Sequence, residues 1–176
     1  MRRLPVNSLA SRVCQSMGTA VFVLVIILGA SAGADPVSPS SEHCVTNVRS
    51  DDALNMRVGP GTSAGIITQK RYGECGIFLT GPCHGNWCPV EDGLYAGWVH
   101  RHYIAMVSPS LYCVHGVSPD DWLNLRAWPS PQSRVLARLD PRACGIAFLP
   151  YTVGNWQKIR VDGWEGWAHR RYLSGQ

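Results

Sequence analysis

The chain has 176 residues, 45% hydrophobic and 16% charged, with a formal net charge of +4 and seven cysteines. Three of its sixteen Lys and Arg (Arg2, Arg3 and Arg12) lie at the N-terminus, whereas all twelve acidic residues lie beyond residue 34, so the remainder carries a formal +1. That balance, with no clustered basic face, excludes an electrostatic case for nucleic acid.

Residues 1–34 have the three regions of a secretory signal peptide: the basic start, the apolar run at 20–30 (AVFVLVIILGA), and small residues ending at Ala34. The run is short for a membrane span of ~20 residues, so cleavage after Ala34 is expected over retention as an anchor. The membrane is then met only transiently. Cys14 precedes the run and is not placed for lipid attachment. Residues 35–43, rich in Pro and Ser, read as a flexible tether.

The remaining chain is one module written twice. Shifted by 69 residues, Cys44 falls on Cys113, Cys75 on Cys144, Asn86-Trp87 on Asn155-Trp156, and Gly97-Trp98 on Gly166-Trp167, with 20 identities in 61 positions and no gap. The first copy spans 44–105, a linker 106–112, and the second copy 113–176. In the first copy, short β-prone runs at 45–48, 54–57, 66–68, 76–79, 87–90 and 97–99 alternate with Gly, Pro, Asn and Asp, the pattern of a small all-β barrel or sandwich. No helical periodicity lasts longer than about two turns. The second copy carries eight basic and five acidic groups, a bias towards anionic partners.

Outside the leader the cysteines number six, an even count in an exported chain and hence a disulfide framework. Six cysteines allow fifteen pairings. The repeat favours the equivalent bridges Cys44–Cys75 and Cys113–Cys144, which leaves Cys83 and Cys88 for each other. In CHGNWC a two-residue Gly85-Asn86 turn places those two directly across a hairpin. A metal site built on these cysteines and His84 is disfavoured by the complete pairing scheme. A module of about 60 residues buries only ~60% of its unfolded surface, so such staples matter for stability.

The stretches LNMRVGPGTS at 54–63, GNW at 85–87 and GWVHRHYI at 97–104, with diverged copies at 123–133, 154–156 and 166–173, resemble the bacterial SH3 domain family. The second copy has Trp128-Pro129-Ser130 where that family usually has a glycine-rich turn. The resemblance implies two tandem SH3-like β-barrels. It further implies an extracytoplasmic location, periplasmic or secreted, and a module that targets peptidoglycan or its peptide stems without enzymatic activity of its own.

Residue by residue, the catalytic readings are weak. The pairing scheme leaves no free thiolate, no G-x-S-x-G elbow is present, and Asp51-Asp52 and Asp120-Asp121 read as turn formers. His100, His102 and His169 lack the further donors a metal would need. No cofactor and no catalytic residue is expected. The aromatics are more informative. Trp87, Trp98 and Tyr103 recur as Trp156, Trp167 and Tyr172 and are expected to serve the fold. Trp122, Trp128, Tyr151 and Trp164 stand where the first copy has Ala53, Gly59, Pro82 and Tyr95. They are expected to be exposed at turns or strand ends and to line a ligand groove, with Arg126, Arg134 and Arg160 as partners for carboxylates. Packing of Trp122 and Trp128 between the modules is the alternative.

The reading is an exported, non-catalytic envelope protein that binds peptidoglycan or a peptide. Its rival is a protein-interaction factor: an envelope assembly protein, or an inhibitor or immunity protein of a secreted enzyme.

Overall fold

The computed structural model describes residues 41–175. The expected leader, its cleavage site and most of the expected tether lie outside the described residues. Among these residues thirteen strands form two antiparallel sheets, one for each copy, accompanied by two single-turn 3₁₀ helices. In the first copy these are β1 (Glu42–Val45), β2 (Ala53–Arg57), β3 (Ile66–Arg71), β4 (Ile77–Leu79), β5 (Trp87–Glu91), β6 (Ala96–His100) and β7 (Ile104–Met106), in the sheet order β3-β2-β6-β5-β4-β1-β7. The second copy contains β8 (Tyr112–Cys113), β9 (Leu123–Arg126), β10 (Val135–Leu139), β11 (Cys144–Val153), β12 (Trp156–Val161) and β13 (Trp164–His169), ordered β10-β9-β13-β12-β11-β8. The 3₁₀ turns Arg101–Tyr103 and Arg170–Tyr172 follow β6 and β13. The fold is therefore all-β, two small barrels in tandem.

Alternation along the strands builds each core. Leu54 and Met56 point inward from β2 while Asn55 does not, and Leu123 and Leu125 repeat the pattern from β9. With Val45, Ile77, Val90, Val99 and Ile104 they close the first core, and with Val114, Ile146, Ile159, Ala168 and Leu173 the second. The glycine before Trp98 is required by this closure. A Cβ on Gly97 would lie 2.7 Å from the Arg57 carbonyl oxygen, and one on Gly166 the same distance from that of Arg126. The closing strand can cross β2, or β9, only where a side chain is missing.

All three bridges exist: Cys44–Cys75, Cys83–Cys88 and Cys113–Cys144. The hairpin holding the second has Gly85 at φ +60° between the paired residues His84 and Trp87. The second barrel lacks that bridge, and Gln157 stands where Cys88 would be. Its buried side-chain amide donates to the carbonyls of Leu149 (2.6 Å) and Tyr151 (3.2 Å), fastening β12 to β11 across the bulge between Phe148 and Thr152.

Two expectations are corrected. The first strand runs Glu42–Val45 rather than 45–48, because Asn47 adopts a left-handed φ of +56° that ends it. The last residues assigned to the tether are thus structural, with His43 fully buried. The linker is fixed too: Val107 N–H donates to the Glu42 carbonyl (2.8 Å), and Ser108 exchanges hydrogen bonds with the backbone of Phe148 (3.0 and 2.7 Å).

These contacts belong to a seam between the barrels. Ala147, Leu149 and Tyr151 alternate along β11 and pack on Cys44 and Val107 of the first copy, while Ile146 faces its own core. The corresponding first-copy residues are Phe78, Thr80 and Pro82, so only the second barrel offers this face. Tyr151, expected at an exposed groove, is 4% exposed and donates its phenol hydrogen to the Val45 carbonyl (2.8 Å). Burial pushes that phenol's pKa up. Arg160, expected as a ligand partner, instead grips Glu42 with both terminal nitrogens (2.6 and 3.0 Å) and donates to Glu165 from Nε (2.8 Å). Both residues hold the seam together. Tyr151 is buried there, and Arg160 borders a small cavity of about 300 Å³ along the linker.

Candidate functional site

Each barrel carries a groove at the same place, and the two grooves are lined by equivalent residues. In the first barrel a cavity of about 420 Å³ runs between the 47–53 turn, β2 and the β5–β6 hairpin, and Asn55, Arg57, Trp87, His100 and Tyr103 face it. In the second a cavity of about 820 Å³ is faced by Asn124, Arg126, Trp156, His169 and Tyr172. All twelve residues lining the first groove have their 69-offset counterparts in the second, and eight of the twelve pairs are identical. Across the whole alignment the rate is 20 in 61. Identity between the copies is concentrated at the groove.

The geometry is duplicated as well. The Trp87 ring meets His100 edge-on at 5.4 Å, and Trp156 meets His169 at 5.6 Å. Tyr103 and Tyr172 lie 5.7 and 5.8 Å from the same imidazoles, both tilted by 55°. The imidazoles have a structural task, since Nδ1 of His100 accepts from the His102 N–H and Nδ1 of His169 from the Arg171 N–H, both at 3.3 Å. In a neutral ring the proton then sits on Nε2, leaving that nitrogen as a donor. Arg57 and Arg126 tie the next loop by donating to the carbonyls of Ala64 (2.6 Å) and Ser133 (2.7 Å). Asp52 and Asp121 end the rim turns, each accepting from the following N–H at 2.7 Å.

Such a site has the groups to bind a ligand. Its side chains offer aromatic faces, amide groups, an imidazole N–H and one or two guanidinium groups, the equipment for an extended polar ligand. Among the described residues, no group of three or more His, Cys, Asp or Glu is arranged to hold a metal ion.

Of the residues singled out in the sequence, Trp122 and Arg126 line the second groove. Trp128 and Trp164 do not. In the β12–β13 hairpin Trp156 sits opposite His169 at the groove end, while Trp164 sits opposite Val161 at the other end, five residues and about 16 Å away. Trp128 follows β9 as Trp122 precedes it. Because Arg126 pairs with Trp167 in antiparallel fashion, β9 runs towards Trp128 as β13 runs back towards Trp164. These two half-exposed indoles, with Val135, thus mark the opposite end of the barrel. Arg134 is exposed beside them, outside the groove lining. Trp122 and Trp128, each about half exposed, do not pack between the modules. The groove aromatics Trp156 and Tyr172 had been read as serving the fold, and only their recurrence in both copies pointed to them.

Residues 120–175 match the family model described as Bacterial SH3 domain. The chain is 28% identical over 152 residues to the Bacillus subtilis protein YrvJ, named for an N-acetylmuramoyl-L-alanine amidase activity. That match takes in 79% of this chain and spans 29% of the relative's length. Among solved structures, NlpC2 and NlpC1 from Trichomonas vaginalis align at a TM-score of 0.37 each, with 11% and 13% identity. These alignments cover 78% and 87% of this chain, and 48% and 51% of those chains.

Proposed function

We propose that this tandem pair of bacterial SH3 domains is a non-catalytic binding protein of the cell envelope that holds peptidoglycan, or its peptide stems, in the duplicated groove. The observation that carries the reading is the concentration of identity at the groove, eight of twelve positions against 20 of 61 overall. These residues also brace the fold, and their gathering on one concave surface supports a recognition role beside that task. Three disulfides fit export to an oxidising compartment, periplasm or medium. The relative named for cleaving muramoyl-alanine bonds supplies the ligand class. The matched segment covers under a third of that relative, so its activity need not come with it.

Sedimentation tests the proposal. Protein purified with its bridges oxidised is expected to pellet with isolated sacculi. If it stays in the supernatant, the proposal fails. A protein-interaction role, as an assembly factor or an inhibitor of a secreted enzyme, is favoured by one observation, the exposed Trp128, Val135 and Trp164 at the end away from the groove. Capture of an envelope protein that is lost on replacing Trp128 and Trp164 would support that role instead.

A further inference from the structure

The two grooves differ in volume about twofold, and among the four lining pairs that differ one, Asn47 and Gly116, stands at the end where the second groove extends further. In the first barrel the Asn47 side-chain amide donates to the His102 carbonyl at 2.8 Å, closing one end of the groove. The second barrel has Gly116 at this position, with nearly the same backbone twist (φ +65° against +56°) but no side chain to reach across. The cavity there continues past the 3₁₀ turn to Val153, Asn155 and Arg171, which have no counterparts in the lining of the first groove.

The opening changes which cations face the site. The first groove presents Arg57 and Asp52, and its remaining cation, Arg49, is engaged by Asp51 (2.6 Å). The second presents Arg126 and Arg171 against Asp121, and His169 stands where the first has His100. Beyond Arg171 lies a hollow of about 850 Å³ lined by His115, His169 and Arg170, and the first barrel has its equivalent, about 690 Å³, at His100, Arg101 and His102 on the far side of Asn47.

We infer that Gly116 is a gate held open, and that the second barrel reads an anionic end of its ligand, a peptide carboxylate, at Arg171, while Asn47 closes the first barrel to that end. The inference rests on the function proposed above and assigns the two grooves different parts of the ligand. A charge-assisted contact to a carboxylate contributes enough to change affinity by tenfold or more.

The test is calorimetric titration of a soluble muropeptide with a free peptide carboxylate, beside the same muropeptide with that carboxylate amidated. Wild-type protein is expected to prefer the free acid by about tenfold. Gly116→Asn introduces the side chain that already stands at the equivalent φ in the first barrel, and Arg171→Gln removes the cation. Each is expected to abolish the preference with the melting temperature unchanged. Asn47→Gly, on the first barrel, is expected to raise the overall affinity for the free acid by opening the second end. Equal binding of acid and amide by the wild type, or a preference that survives both Gly116→Asn and Arg171→Gln, overturns the inference and leaves the proposed function standing. Binding of neither form overturns both.

Discussion

Two of the three bridges close loops of identical length in equivalent places, yet the structure predicts unequal losses when they are removed. Cys44–Cys75 and Cys113–Cys144 each span 31 residues, and the loop-entropy relation gives about 3.7 kcal/mol for either. Their surroundings differ. Cys44 is fully buried in the seam against Val107, Leu149 and Tyr151, whereas Cys144 is exposed and Cys113 half-buried. Replacing the first pair by Ala therefore also empties packed volume between the barrels, adding roughly 1 to 2 kcal/mol. The double variant Cys44→Ala/Cys75→Ala should lose about 5 kcal/mol and Cys113→Ala/Cys144→Ala about 4. At roughly 3 to 4 °C per kcal/mol for a unit of this size, both shifts are readily measured by thermal melting and by denaturant midpoints at constant slope. Equal losses, or a larger loss for the second pair, would refute the claim that the first bridge belongs to the seam as well as to its own barrel.

Gly166→Ala should cost about 2 to 4 kcal/mol, since its methyl group would lie 2.7 Å from a backbone oxygen and 2.9 Å from Leu125, neither of which can move freely; a denaturation curve within 0.5 kcal/mol of wild type would contradict that crossing. Tyr151→Phe should lower stability by about 1 kcal/mol, the net worth of the hydrogen bond to Val45 across the seam, without altering sacculus sedimentation; a binding defect at unchanged stability would return Tyr151 to the ligand site. Acid should lower stability through two groups, one in the first barrel and one in the seam. Burial holds the His43 imidazole below its ordinary value, so the unfolded chain takes up a proton there that the folded chain resists, and stability falls as pH drops below about 6.5. The hydrogen bonds from Arg160 hold Glu42 below the usual carboxylate value, and its contribution, complete above about pH 4.5, is lost as pH falls further. His43→Phe should flatten the first part of the stability–pH curve and Glu42→Gln the second; an unchanged curve in either variant would remove that group from the account.

Much of the fold was legible because the duplication makes local signals check one another. Cys44 and Cys113 lie in equivalent strands, Gly85-Asn86 and Gly154-Asn155 close equivalent hairpins, and the Gly97 and Gly166 clashes recur to equivalent oxygens. The groove was only half legible. Trp122 and Arg126 were found as differences and candidate charges, but Trp87 and Tyr103 recur in the second copy and so looked merely structural, and His100 was weighed only as a metal ligand, although a residue that braces the fold can also face the groove. Tyr151 and Arg160 were misplaced because their partners, Val45 and Glu42, lie 106 and 118 residues away in the other barrel, and strand periodicity carries no information about contacts at that range. The Asn47 gate was hidden for the same reason: its acceptor, the carbonyl of His102, lies 55 residues on.

The seven tryptophans permit a direct test of where recognition occurs. In a ¹⁵N-labelled sample titrated with soluble muropeptide, the indole N–H resonances of Trp87, Trp122 and Trp156 should move while those of Trp128 and Trp164, at the far end of the second barrel, stay in place. Movement confined to Trp128 and Trp164 would show that the ligand meets the opposite end and that the duplicated groove is not the binding site.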